Sequence, residues 1–141
     1  MRKVLVAYDG SDLAKKALKE AMLQNREGEQ VDVHIVTVVN PKGPYSNPGL
    51  YKSIERDLKE KAEMELEELL DMYQKDYPAA ILTTEVLTGN PGNQIAEYAK
   101  EHQIDIITIG SRGLGSVKEL FLGSVSHRVV QQADCKVMVV K

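Results

Sequence analysis

Five short apolar runs rich in valine and isoleucine punctuate the chain, at residues 4–7, 31–39, 80–87, 104–109 and 136–140. Near-continuous apolar strands belong to parallel sheets whose two faces are both covered, because neither face can then be polar. Between the runs the apolar spacing turns helical. Ala14, Ala17, Leu18, Ala21 and Met22 mark a first helix, with Ser11 or Asp12 placed to cap it and an end near residues 25–28. A long helix over about residues 50–77 aligns Ile54, Leu58, Ala62, Leu66, Leu69, Leu70 and Tyr73, with its Glu and Lys residues on a solvated face. Ile95, Ala96 and Ala99 mark a third helix after a turn at residues 88–92, and a fourth is expected over about residues 124–132. Strand and helix in alternation specify an α/β fold, a doubly wound, mostly parallel five-stranded sheet.

The 141 residues suit a single domain spanning 1–141, with no repeat or linker to divide it. A net charge of −3, with Lys and Arg scattered among acids, gives no footprint for nucleic acid. The single cysteine, Cys135, excludes an internal disulfide and a cysteine-built metal site. The start, MRKVLVAYDGS, is too short in apolar residues for a signal peptide, and no run approaches the roughly 18 residues of a membrane span. The expectation is a cytoplasmic protein that engages no membrane.

In such a sheet, ligands bind beyond the carboxyl ends of the strands, where strand order reverses. That rule selects Asp9-Gly10-Ser11, the residues after Val38, and the stretch from Gly110. The last reads Gly110-Ser111-Arg112-Gly113, then nine residues, then Gly123-Ser124-Val125-Ser126. Glycine lets a ligand approach the backbone closely. Gly123 and Ser124 stand at a helix start, where unpaired N–H groups and the helix dipole favour anions. The hydroxyls of Ser124 and Ser126 are candidate phosphate donors, and Arg112 a candidate phosphate fork. The plainer alternative is a set of turn glycines with Ser124 as an ordinary N-cap. Neither familiar phosphate motif is present. A Walker A loop would need Gly-Lys-Ser/Thr where Gly115-Ser116-Val117 stands, and a dinucleotide fingerprint fails at Lys118.

The spacing G-x2-G-x9-G-[S/T], carried by Gly110, Gly113, Gly123 and Ser124, resembles the nucleotide-binding signature of the universal stress protein family. The resemblance covers the whole chain, from VAYDGS through HIVTVV, IGSRG and LGSVSHRVV to CKVMVV. It implies an adenine-nucleotide-hydrolase-like fold with strand order 3-2-1-4-5, ATP (or AMP or another adenine nucleotide) as ligand, a stress-response role, and a homodimer through the C-terminal strand. By position it places Ala7, Tyr8 and Asp9 under the nucleotide, Asp9 also as a candidate ligand for Mg2+ or Mn2+ on the phosphates. It puts the backbone of Val38 at the adenine edge. Gly110, Arg112 and Gly113 fall around ribose and phosphates, with Gly123, Ser124, Val125 and Ser126 as the phosphate cradle. Lys136 departs from the proline common in relatives, away from the ligand.

Catalysis has thin support. Asp9 and His127 are the candidates to activate water, and neither has an identifiable partner. His34, His102 and Cys135 read as structural. The expectation is nucleotide binding with at most slow hydrolysis, the alternatives being a true ATPase, a nucleotide-free interaction module, or a pocket for a cyclic dinucleotide. A phosphoryl-accepting receiver domain is disfavoured because Asp9 stands without a second acid and the third strand ends Val86-Leu87-Thr88.

Overall fold

A computed structural model describes residues 1–24, 29–41, 47–112 and 123–141. The elements alternate as β1 (Arg2–Ala7), α1 (Asp12–Met22), β2 (Val31–Val39), α2 (Pro48–Asp76), β3 (Ile81–Thr88), α3 (Pro91–Glu101), β4 (Ile106–Gly110), α4 (Ser124–Gln132) and β5 (Lys136–Val140). All five strands pair in parallel, in the order β3-β2-β1-β4-β5. The fold class and strand order are those expected. Among the described residues no helix is long and apolar enough to cross a membrane.

Several boundaries differ from the sequence expectation, and each has a local cause. Helix α2 starts at Pro48, inside the stretch from Asn40 to Gly49, whose three prolines, two glycines and two asparagines predict a loop. Asn47 caps it by accepting the N–H of Gly49, and Pro48 costs nothing in a first turn, where its missing N–H has no acceptor anyway. The same device starts α3 at Pro91, with the Asn90 side chain accepting the N–H of Asn93. Helix α1 ends at Met22, three residues short of the expected region. Strands β3 and β4 begin later than their apolar runs. Ile104 is buried, yet its N–H closes on Ala99 at the end of α3 rather than on a strand.

Side chains alternate across the sheet. Val4 and Val6 of β1, Tyr8 just after it, and Val33 and Ile35 of β2 pack with Ala14, Ala17, Leu18 and Met22 of α1 and with Leu66 and Leu69 of α2. On the other face Leu5, Val36, Ile107 and Ile109 pack with Ile95, Tyr98 and Ala99 of α3 and Val129 of α4. The central strand is therefore dry on both sides, and Val4, Leu5 and Val6 are all fully buried. Helix α2 buries only Ala62, Leu66 and Leu69. Its 29 residues span about 43 Å against about 30 Å for a nine-residue strand, so its amino-terminal apolar residues outrun the sheet, and Leu58 stays 38% exposed.

A polar cluster sits within the second face. The Tyr98 hydroxyl lies 2.7 Å from His34 Nδ1, and its ring stacks on His102 with centroids 3.8 Å apart. His34 Nε2 stands 3.3 Å from Asp32 Oδ1, close enough for an ion pair but without hydrogen-bond alignment. His34 is one residue pair down β2 from Val36, and Tyr98 follows Ile95 by three positions on α3, so this cluster is the layer beneath the strand-end cleft described below.

Two outcomes follow. Thr108 is fully buried on β4 and its hydroxyl has no hydrogen-bond partner among the described residues. Thr108→Val replaces that hydroxyl with a methyl of similar volume and should raise the unfolding free energy by about 1 kcal/mol, read as a higher urea midpoint at constant slope. Burial pushes the Tyr98 phenol up to about 12, with the Glu85 carboxylate adding to it. Its proton is thus held more tightly folded than unfolded, so the stability it carries is complete below pH 10 and is lost as pH rises toward 12. Tyr98→Phe should lose stability less steeply than the parent across that window in alkaline unfolding curves.

Candidate functional site

The strand order reverses at β1, and the carboxyl ends of the strands open there into a cleft of about 400 Å³. Ten of the expected residues line it: Ala7, Tyr8, Asp9, Val38, Gly110, Arg112, Gly123, Ser124, Val125 and Ser126. The eleventh, Gly113, lies outside the described residues, as does the 114–122 stretch.

The floor is set by where β1 stops. Its pairing with β2 ends at Ala7 opposite Val36, and one further bond runs from the Tyr8 N–H to the Val36 C=O at 2.8 Å. In a parallel ladder, residues two apart aim their N–H and C=O to the same neighbour. Val38 therefore directs both groups toward β1 at a level that β1 no longer reaches. Val39 faces the other way, its C=O accepting the N–H of Gly89 beyond β3. The Thr37 hydroxyl donates to the Tyr8 C=O at 2.8 Å and holds the departing chain. Val38 thus offers an adjacent donor and acceptor at the cleft edge, a pattern that fits a planar base with a complementary pair.

The turn after β1 is built locally. Gly10 takes φ +82°, a conformation that favours glycine, and a Cβ there would meet nothing, so the requirement is conformational rather than steric. Asp9 Oδ1 accepts the N–H of Ser11 at 3.0 Å, and Ser11, not Asp12, caps α1 by accepting the N–H of Ala14. Asp9 is exposed and is the one carboxylate among the lining residues described. Among the described residues no group of three His, Cys, Asp or Glu could hold a metal. An oxygen-only donor such as Asp9 suits Mg2+ or Mn2+ if phosphates supply most of the remaining ligands.

Gly110 and Gly123 have packing reasons to be glycine. A Cβ on Gly110 would fall 2.8 Å from Leu13 Cβ, so its absence lets the first turn of α1 close against the end of β4. A Cβ on Gly123 would fall 3.2 Å from the Ser111 carbonyl oxygen, which accepts the Gly123 N–H at 2.7 Å. Gly123, rather than Ser124, occupies the N-cap position of α4, with no side-chain cap. The N–H groups of Ser124, Val125 and Ser126 fall where a helix lacks acceptors of its own, and they open on the cleft with the positive end of the helix dipole. Arg112 adds the cleft's one guanidinium among the described lining residues. The Ser126 hydroxyl departs from the expectation of a ready phosphate donor: it is directed at the carbonyls of Ser111 and Gly123.

Sequence reasoning missed Ala14, Val36, Pro91, Ile95 and Ile109 as lining residues, while Ser11, selected by the strand-end rule as well as for capping, lines the cleft. Val36 was legible as the neighbour of Val38 on one strand face. Pro91 and Ile95 come from the start of α3; in the sequence Pro91 reads as part of a turn and Ile95 only as a helix marker. His127 is exposed and does not line the cleft. Cys135 is half-buried, and burial pushes its thiol up, away from the reactive thiolate.

The sequence profile described as the Universal stress protein family matches residues 1–141. Universal stress protein YxiE of Bacillus subtilis is 33% identical over 99% of this chain and 98% of its own. The structure of the Methanocaldococcus jannaschii universal stress protein MJ0577 superposes with a TM-score of 0.90 at 26% identity, over 99% of this chain and 95% of that one. A universal stress protein of Archaeoglobus fulgidus, solved in complex with dAMP, matches with a TM-score of 0.65 at 25% identity, over 100% and 98% of the two chains. With its whole length matched by the family profile, the chain belongs to the universal stress protein family.

Proposed function

We propose that this chain is an ATP-binding regulatory module, one domain over residues 1–141, acting in the cytoplasm in a stress response. The observation that carries the reading is convergence: three separate segments of sequence supply an edge pair, an anion-binding helix start and a guanidinium to one cleft. The dAMP complex of the Archaeoglobus fulgidus relative supports an adenine nucleotide as the ligand class.

The Val38 N–H donates to adenine N1 and its C=O accepts from the exocyclic amine, a pairing that guanine reverses. The apolar walls, Val36, Ile95 and Ile109, hold the base. The N–H groups of Ser124, Val125 and Ser126 meet the phosphates with Arg112 and favour ATP over AMP by the added charge. A divalent cation, Mg2+ or Mn2+, would supply charge compensation between the phosphates, with Asp9 the residue to hold it. Hydrolysis is at most slow, because the described lining residues include no histidine and a single carboxylate, Asp9, to act on water. Binding then acts by favouring one state of the surface around the cleft. The exposed ladder of β5 at the end of the sheet provides the edge for a homodimer.

Gly123→Val would place a branched side chain against Ser111 and over the helix start. Titration calorimetry of nucleotide-stripped protein should show ATP binding that this change weakens at least about tenfold, or 1.4 kcal/mol, with Arg112→Gln weakening it less. Circular dichroism checks that the fold survives. No heat of ATP binding to the parent protein would refute the reading, and turnover above about 1 s⁻¹ would make it an ATPase instead.

A further inference from the structure

Ser111 is the point on which the carboxyl edge of the sheet is tied together. Its N–H donates to the C=O of Val140, the last residue of β5, at 2.8 Å. Its C=O accepts the N–H of Gly123 at 2.7 Å and the Ser126 hydroxyl at 3.1 Å. The same hydroxyl lies 3.0 Å from the Gly123 C=O, which also accepts the N–H of His127 at 2.9 Å. Ser126 is only 2% exposed although it lines the cleft.

A hydroxyl owns one hydrogen. In this structure that hydrogen points to backbone carbonyls, so the oxygen turns only lone pairs elsewhere. A phosphate oxygen is an acceptor and gains nothing from Ser126 unless the hydrogen is withdrawn from Ser111 and Gly123. We propose that Ser126 is a positioning residue for the phosphate site, a latch that fixes the start of α4 to Ser111, and through Ser111 to the edge strand β5. The backbone N–H groups of the first turn, and not the Ser126 hydroxyl, then meet the phosphates. Holding those donors in place before a ligand arrives removes the ordering cost that binding would otherwise carry. The latch also gives the site a short route to β5: a change in the Ser126 bond is felt at Ser111, whose N–H bonds to Val140.

This rests on the nucleotide-binding reading only for its ligand arm. Amide hydrogen exchange on the full, nucleotide-free chain tests the latch directly. In Ser126→Ala the amides of Ser111 and Gly123 should exchange about 5- to 10-fold faster than in the parent, the effect of losing one ordinary hydrogen bond, while the β1–β2 ladder is unchanged. ATP affinity should fall several-fold, and adenosine affinity by less than about twofold, because only the phosphate donors are displaced. Ser126→Thr keeps a hydroxyl and should exchange as the parent does. Unchanged exchange at Ser111 and Gly123 in Ser126→Ala overturns the latch. If ATP affinity falls all the same, Ser126 is a direct phosphate donor. Threonine behaving like alanine also overturns it. A parent protein that binds no ATP defeats the functional reading alone, since the exchange result stands without ligand.

Discussion

The carboxyl edge of this molecule depends on where one ladder ends. Strand β1 lies between β2 and β4, and its last bond to β2 is made by the Tyr8 N–H to the Val36 C=O. Had β1 run two residues further, it would have consumed the N–H and C=O of Val38 and closed the crevice at the order reversal. What stops it is the Asp9-Gly10-Ser11 turn, where a positive φ at Gly10 and two side-chain-to-backbone bonds send the chain into α1. The helix that follows packs its first turn on Gly110 at the end of β4. One turn therefore ends the strand, exposes the recognition edge of β2 and sets the far wall of the cleft.

The same geometry changes how the glycines should be understood. Gly110 and Gly123 belong to a spacing that suggests ligand approach, yet the nearest atoms to their missing Cβ positions are Leu13 and Ser111, parts of the protein itself. Their first effect is to let β4, α1 and α4 come together closely. Cleft shape is a consequence of that packing, so a side chain at either position would disturb the fold and the site by one contact. This is why a glycine spacing can mark a binding site without each glycine touching a ligand.

Much of this was legible in the sequence because its signals are local. Strands β1, β2 and β5 follow from apolar runs rich in valine, and the helix faces from their period. Asp9, Ser11 and the stretch from Gly110 were found by position after strands, and Ala7, Tyr8 and Val38 through the family resemblance. The signals failed where local rules compete: Pro48 and Pro91 were read as loop or turn, while Asn47 and Asn90 make each a helix start. The apolar face of α2 was legible but its burial was not, since burial depends on the length of the sheet beneath. Val36, Pro91 and Ile95 were missed because convergence of β2 and α3 on one cleft is a tertiary fact. The bond direction of the Ser126 hydroxyl was equally hidden, being decided by Ser111, fifteen positions away.

The charge inventory of the cleft bears on what such a site can do. Its described lining carries one guanidinium, one carboxylate and the starts of α1, α3 and α4, and every other side chain is neutral. A helix start and Arg112 suffice to hold phosphates, since both act on charge already present in the bound ligand. Cleaving a phosphate bond asks for more: groups that strengthen their hold as charge moves in the transition state, and a base aligned on water. His127 points to solvent outside the lining, and Asp9 has its Oδ1 occupied by the Ser11 N–H. Under the proposed function the described groups bind ground and transition states alike, and uniform binding gives occupancy without acceleration. On the proposed reading the cleft responds to how much ligand is present, and the bond from Ser111 to Val140 links that response to the edge of the sheet.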